Sequence, residues 1–101
     1  MKHTEQEIVE KAKQVMKDLR ENYYTETCVD DATFDKQKKL FFGKDKGETH
    51  PIWTVSINSL FDKLDFLHIS DETGEPLYYM NFSAVFGIGK NPEGKYYRIK
   101  E

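Results

Sequence analysis

Residues 65–82 read DFLHISDETGEPLYYMNF, two alternating apolar runs on either side of the acidic stretch DETGEP. How that stretch is read decides the fold. A cation loop built from one segment needs oxygen ligands at converging spacings, as in D-x-[DN]-x-[DN]-G-x5-E. D-E-T-G-E-P lacks the alternating acids and the distant glutamate. Asp71 and Gly74 instead stand at the first and fourth positions of a type I turn, where the Asp71 side chain can accept the following amides. Pro76, without a backbone N–H, suits the margin of a hairpin. The stretch therefore reads as a turn with solvated or capping acids, and 65–70 and 77–88 as the arms of an antiparallel hairpin.

Upstream, IWTVSIN (52–58) alternates cleanly, with Trp53, Val55 and Ile57 on one side and Ile52, Thr54, Ser56 and Asn58 on the other. Residues 59–64 (SLFDKL) read as a helical turn or bulged crossing, and KDKGETHP (44–51) as a loop. Residues 23–34 and 39–43 read as two short strands around a polar turn, DKQK (35–38). Downstream, GKNPEG (89–94) is a turn and KYYRIK (95–100) a closing strand. Gly87 and Gly89 are expected to bend the end of the long strand.

The N-terminal segment has a different period. Ile8, Val9, Ala12, Val15, Met16, Leu19 and Tyr23 share one helical face, and Thr4 with Glu7 matches a capping box. A helix over about 5–22 follows, then a meander sheet over about 23–100. The expected fold is one α+β domain, 1–101: one N-terminal helix packed on an antiparallel sheet of about five strands, a two-layer sandwich.

Composition narrows the function classes. Aromatics make up 14% of 101 residues, too many for a disordered chain. A formal net charge of −3 argues against general affinity for nucleic acid or anionic membrane. No apolar run approaches the roughly 20 residues of a membrane-spanning helix. MKHTEQEIVEKAK (1–13) has no apolar export core, and the single Cys28 excludes an internal disulfide, so a cytoplasmic setting is expected.

Chemical motifs are few. His3, His50, His68 and Cys28 lie in separate segments without ligand spacing, so no metal and no cofactor are expected. His3 reads as terminal, His50 as a loop residue and His68 as strand surface. Cys28 with His50 or His68 as base and Asp30 or Asp31 as orienter supplies the residue types of a thiolate triad. It has no local signature, and a lone cysteine reads first as a small buried hydrophobe. No enzyme is expected. FGIGKNPEGK (86–95) matches neither phosphate-loop pattern. Lys36, Lys38, Lys39, Lys44 and Lys46 around Leu40, Phe41 and Phe42 read as an edge strand guarded by lysines, in preference to a single-strand nucleic-acid platform.

Adjacent aromatic pairs carry the strongest signal: Tyr23-Tyr24, Phe41-Phe42, Tyr78-Tyr79 and Tyr96-Tyr97. Strand neighbours point to opposite faces, so one member of each strand pair must leave the core. With Trp53, Val55, Ile57, Leu67, Ile69, Tyr78, Met80, Phe82, Tyr97 and Ile99 facing the helix, Thr54, Ser56, Phe66, His68, Tyr79, Tyr96 and Arg98 form the opposite face. Phe66, His68, Tyr79, Tyr96 and Arg98 are then the expected partner-binding residues, since aromatics and arginine dominate interface hot spots. The expected function is a non-enzymatic protein-binding module, an inhibitor or immunity protein whose charge suits a basic partner such as a toxin. The alternative is a small-ligand site in an apolar pocket between helix and sheet, lined by Trp53, Met80 and Phe82.

A helix followed by strands, with Trp53-Thr54-Val55 on a strand and HISDETGEPLYY as strand-turn-strand, resembles PepSY-type domains over about residues 5–80. That resemblance implies a helix on an antiparallel sheet and a role in inhibiting or regulating proteases, usually outside the cytoplasm. The small, acidic profile without catalytic residues is also similar in type to bacterial toxin-immunity proteins.

Overall fold

A computed structural model of the chain describes residues 1–40, 45–59 and 63–99, with the side chains of Tyr23 and Glu26 set apart. Helix α1 spans Glu5–Arg20. Two short 3-10 turns, Glu21–Tyr23 and Glu26–Cys28, lead into a sheet of six strands. These are β1 (Val29–Lys39), β2 (Thr49–Asn58), β3 (Leu64–Ser70), β4 (Pro76–Met80), β5 (Val85–Lys90) and β6 (Tyr96–Ile99). Every strand pairs antiparallel with the next, in the order β1-β2-β3-β4-β5-β6. The α+β meander expected from the sequence is therefore present, with six strands where about five were expected.

The helix begins where its sequence says. Thr4 accepts the Glu7 amide at 3.1 Å and the Glu7 carboxylate accepts the Thr4 amide at 2.8 Å, satisfying two exposed donors reciprocally. Ile8, Ala12, Val15 and Met16 are buried in one cluster with Val29, Ala32, Trp53, Val55, Ile57, Leu67, Ile69 and Ile88. Tyr23, expected on the same stripe, has its side chain outside the described residues.

Strand boundaries depart from the sequence reading in four places. The expected strand 23–34 starts only at Val29, because the 3-10 turns Glu21–Tyr23 and Glu26–Cys28 occupy its first half. DKQK is no turn, because β1 runs straight through it with a register shift between Asp35 and Lys38. Its polarity reflects an exposed edge strand, and Asp35 Oδ1 accepts the Gln37 amide at 2.9 Å within the irregularity. Thr49–Pro51 belong to β2 and not to a loop, with Thr49 paired to Lys39 and His50 to Lys38. The expected strand 77–88 is broken at 81–84, where Asn81 Oδ1 accepts the amides of Ser83 at 2.9 Å and Ala84 at 2.7 Å. That side chain closes a turn inside an apolar run. The expected strand 39–43 and the crossing 59–64 fall partly outside the described residues, although Ser59 N–H donates to Lys63 O at 2.9 Å.

The faces of β4 and β6 are the reverse of the expected ones. Ile69 pairs with Pro76 but His68 pairs with Tyr78, so Leu77 is an extra residue in β4. A bulge of one residue inverts every side chain beyond it. Tyr79 consequently joins the helix-side cluster, while Tyr78 lies with Leu40 and Ile52 in a second apolar cluster on the other face. In β6, Arg98 pairs with Ile88, and Tyr96 is buried in the helix-side cluster. Tyr97 and Ile99, expected in the core, are 48% and 43% exposed.

DETGEP is a turn, but its acids are not idle. Asp71 is buried and accepts from Trp53 Nε1 at 2.9 Å, from Lys2 N at 2.8 Å and from His3 N at 3.1 Å. Burial pushes its carboxyl up, and these donors together hold it below the usual range. Ser70, not Asp71, accepts the following amides of Glu72 and Thr73. Gly74 takes φ +74 and lies under the His3 ring, so His3 is docked and not frayed. Glu75 binds Lys90 at 3.1 Å and the Tyr96 hydroxyl at 2.6 Å, tying the turn to β5 and β6.

Candidate functional site

Register builds one continuous feature on the face away from the helix. Phe66 of β3 pairs with Met80 of β4, and Met80 pairs with Val85 of β5. The row continues to β6 through Gly87 opposite Ile99 and Gly89 opposite Tyr97. Gly89 has no Cβ because the Tyr97 ring lies over it, where a Cβ would come within 2.6 Å. Cross-strand neighbours on one face stand about 5 Å apart, so these side chains form a single surface. Leu64 at 49%, Phe66 at 36%, Val85 at 36%, Tyr97 and Ile99 all keep substantial exposure. No outward position of β3 to β6 carries a formal charge, for His68 is neutral there: burial, then Lys38 nearby, push its pKa down to about 4.

Of the five residues expected to bind a partner, Phe66 alone lies in this patch as an exposed side chain. His68 is on the same face but buried, stacked on Tyr78 with ring centroids 4.3 Å apart. Its Nδ1 is 3.3 Å from Thr54 Oγ1, and its Nε2 has no partner among the described residues. Tyr79, Tyr96 and Arg98 lie on the helix side. The Tyr79 hydroxyl donates to Asp65 at 2.6 Å, and burial and then that carboxylate raise its pKa. Burial and the bond to Glu75 push Tyr96 up to about 12. Arg98 covers the Phe86 ring at 4.9 Å. The five therefore do not form one surface. Met80, Val85, Tyr97 and Ile99 were missed because the Asn81 turn and the Leu77 bulge were missed, and Asn81 was the readable signal.

The pocket expected between helix and sheet has different walls. Trp53 is packed in the core, Met80 faces outward, and Phe82 is 75% exposed in the β4–β5 turn with the Lys63 ammonium 4.0 Å over its ring. A space of about 190 Å3 does lie beside the last turn of α1, bounded by Met16, Arg20, Asp65, Tyr79, Phe86 and Arg98. Phe82 is the single expected residue on its rim.

The thiolate triad is not assembled. Cys28 packs in the helix-side cluster, where burial pushes its thiol pKa up, whereas His50 and His68 are on the opposite side of the sheet. A raised pKa leaves the thiol protonated and unreactive. Of the lysine-rich segment, Lys36, Lys38 and Lys39 guard β1, an edge strand, as expected, and Leu40 is buried. Phe41, Phe42 and Lys44 lie outside the described residues. No helix of the described residues is long and apolar enough to cross a membrane.

Comparison with protein-family models, with curated proteins and with solved structures gives no match to this chain.

Proposed function

We propose that the chain is a non-enzymatic protein-binding module that takes a partner protein on the outer face of β3–β6, as an inhibitor or immunity protein acting in the cytoplasm. The observation that carries this reading is the uncharged row Phe66–Met80–Val85, extended by Ile99 and Tyr97. A contiguous exposed apolar patch costs solubility and is kept by monomeric proteins mainly where something binds. Its centre has the composition of an interface core, depleted of charge and holding aromatic anchors. The occupant is a different protein with an apolar surface and a basic surround, which a net charge of −3 would steer into contact.

The test is recovery of a partner from source cells with the wild-type chain as bait, followed by reconstitution from purified components. Phe66→Ser with Ile99→Ser is expected to weaken the reconstituted complex by at least ~10-fold, as loss of two anchors would. Tyr79→Phe, on the other face, should leave it intact. Equal affinity in the outer-face variant would overturn the reading, and so would a stable homodimer seated on this face.

A second reading has one observation in its favour. The space beside the end of α1 brings the buried Asp65–Tyr79 pair next to Arg20, Arg98 and the Phe86 ring, a mixture suited to orienting a small polar aromatic ligand. Fragment screening by NMR, with shifts confined to these residues, would favour it over the outer face.

A further inference from the structure

The end of the β1–β2 hairpin carries chemistry that neither the partner face nor the pocket uses. Leu40 N–H donates to Glu48 O at 2.9 Å, Gly47 N–H to Leu40 O at 2.9 Å and Glu48 N–H to Asp45 O at 3.0 Å. Gly47, at φ +92, allows that tight return. The result places Asp45, Glu48 and His50 so that one donor atom of each lies within 4.8 Å of the others. His50 is held on β2 by pairing with Lys38, so its ring has a fixed base.

The two nitrogens of His50 are in different situations. Nδ1 lies 3.4 Å from Glu72 Oε1, in the DETGEP turn across the sheet end. Nε2 is closed off from solvent, has no hydrogen-bond partner among the described residues, and faces Asp45 Oδ2 at 3.9 Å. The ring thus has a carboxylate on each side, Glu72 toward Nδ1 and Asp45 toward Nε2. A divalent cation among these donors would give the buried Nε2 a partner and offset the repulsion between the neighbouring carboxylates. A carboxylate behind the remote ring nitrogen is also how metal-ligating histidines are oriented.

We propose that Asp45, Glu48 and His50 Nε2 bind a divalent transition-metal ion of the zinc type, with Glu72 as the positioning residue behind His50 and water in the fourth place. The donor set selects this class. Calcium takes six to eight oxygens, more than this hairpin offers, and magnesium prefers oxygen and water. One imidazole with two carboxylates suits zinc and its neighbours. Metal bonds of about 2.0–2.1 Å set tetrahedral donors about 3.3 Å apart. The 3.9 Å between His50 and Asp45 needs only a small closure, within the rotamer freedom of half-exposed Asp45 and exposed Glu48. The sequence signal was D-x-x-E-x-H in DKGETH (45–50), a spacing that closes only on the hairpin turn.

The experiment uses the full chain, stripped with EDTA and titrated with zinc chloride by calorimetry and with cobalt chloride by visible absorption. One equivalent is expected to bind, with cobalt bands of a low-coordinate site. His50→Ala, and separately Asp45→Asn with Glu48→Gln, should each weaken zinc by well over ~10-fold, and Glu72→Gln by about 10-fold. The paired carboxylate variant changes side chains outside the core, so it reads the site even where His50→Ala disturbs the strand. Circular dichroism verifies the fold of each. Absence of binding overturns the proposal. So does unchanged affinity in both variants, which would put the ion at the N-terminus or Cys28, and so does calcium competing equally with zinc.

Discussion

The Trp53 indole N–H donates to Asp71 Oδ1 at 2.9 Å, joining the centre of β2 to the first residue of the β3–β4 turn. The same carboxylate holds the amides of Lys2 and His3, so three segments meet on one buried acid.

Asp71→Ala should therefore cost more than an ordinary turn substitution. It leaves the indole N–H unpaired in the core and releases the two N-terminal amides. Loss of hydrogen bonds to a charged group of this kind costs about 3 kcal/mol. Urea unfolding at neutral pH measures it, with Asp71→Asn falling between the two because its amide oxygen still accepts. A change below about 1 kcal/mol would mean that water replaces the carboxylate.

His68 predicts a pH dependence. Its ordinary pKa of 6.5 applies to the unfolded chain, while the folded value is pushed down to about 4. Between those values the unfolded chain binds a proton that the folded one refuses. Stability from this residue is then complete above pH 6.5, declines as pH falls toward 4, and is constant below. The gap is worth on the order of 3 kcal/mol. Urea midpoints from pH 7 to 4.5 should show the decline, and His68→Phe, which keeps the stack on Tyr78, should flatten it. An unchanged slope in the variant would assign the loss to other groups.

Leu77 sets which tyrosine faces the helix. Deleting it removes the bulge, turns Tyr78 inward and Tyr79 outward, and breaks the Tyr79–Asp65 bond of 2.6 Å. The deletion should cost well over ~3 kcal/mol or abolish cooperative unfolding, whereas Leu77→Ala, which keeps the register, should cost about 1 kcal/mol. A deletion variant as stable as the wild type would show that β4 tolerates either face.

The helix, its cap and the meander order were readable because each rests on local pattern: a 3.6 period, the Thr4–Glu7 pair, and alternation in β2 and β3. The faces of β4 and β6 were not. Ile69 and Pro76 start the hairpin in the expected parity, and one unpaired leucine then reverses it without any mark in the apolar run. Asn81 lay between Met80 and Phe82, and its turn was masked by hydrophobic neighbours. Asp71 was read as a turn residue because its partners, Trp53 and the N-terminal amides, are remote in sequence. The binding face was thus legible as an idea and only at Phe66 as a residue.

The docking of α1 has a consequence for synthesis. Its apolar stripe packs against β1 and β2 but also against β6, whose Tyr96 amide donates to Asp18 at 3.0 Å. The helix is thus made before β6, the strand it needs to complete its shelter. Each hairpin between can zip locally as it leaves the ribosome, yet Ile8, Val15 and Met16 stay partly uncovered until β6 arrives. A nascent chain stalled before residue 96 should present that stripe to a chaperone, and the complete chain should withdraw it.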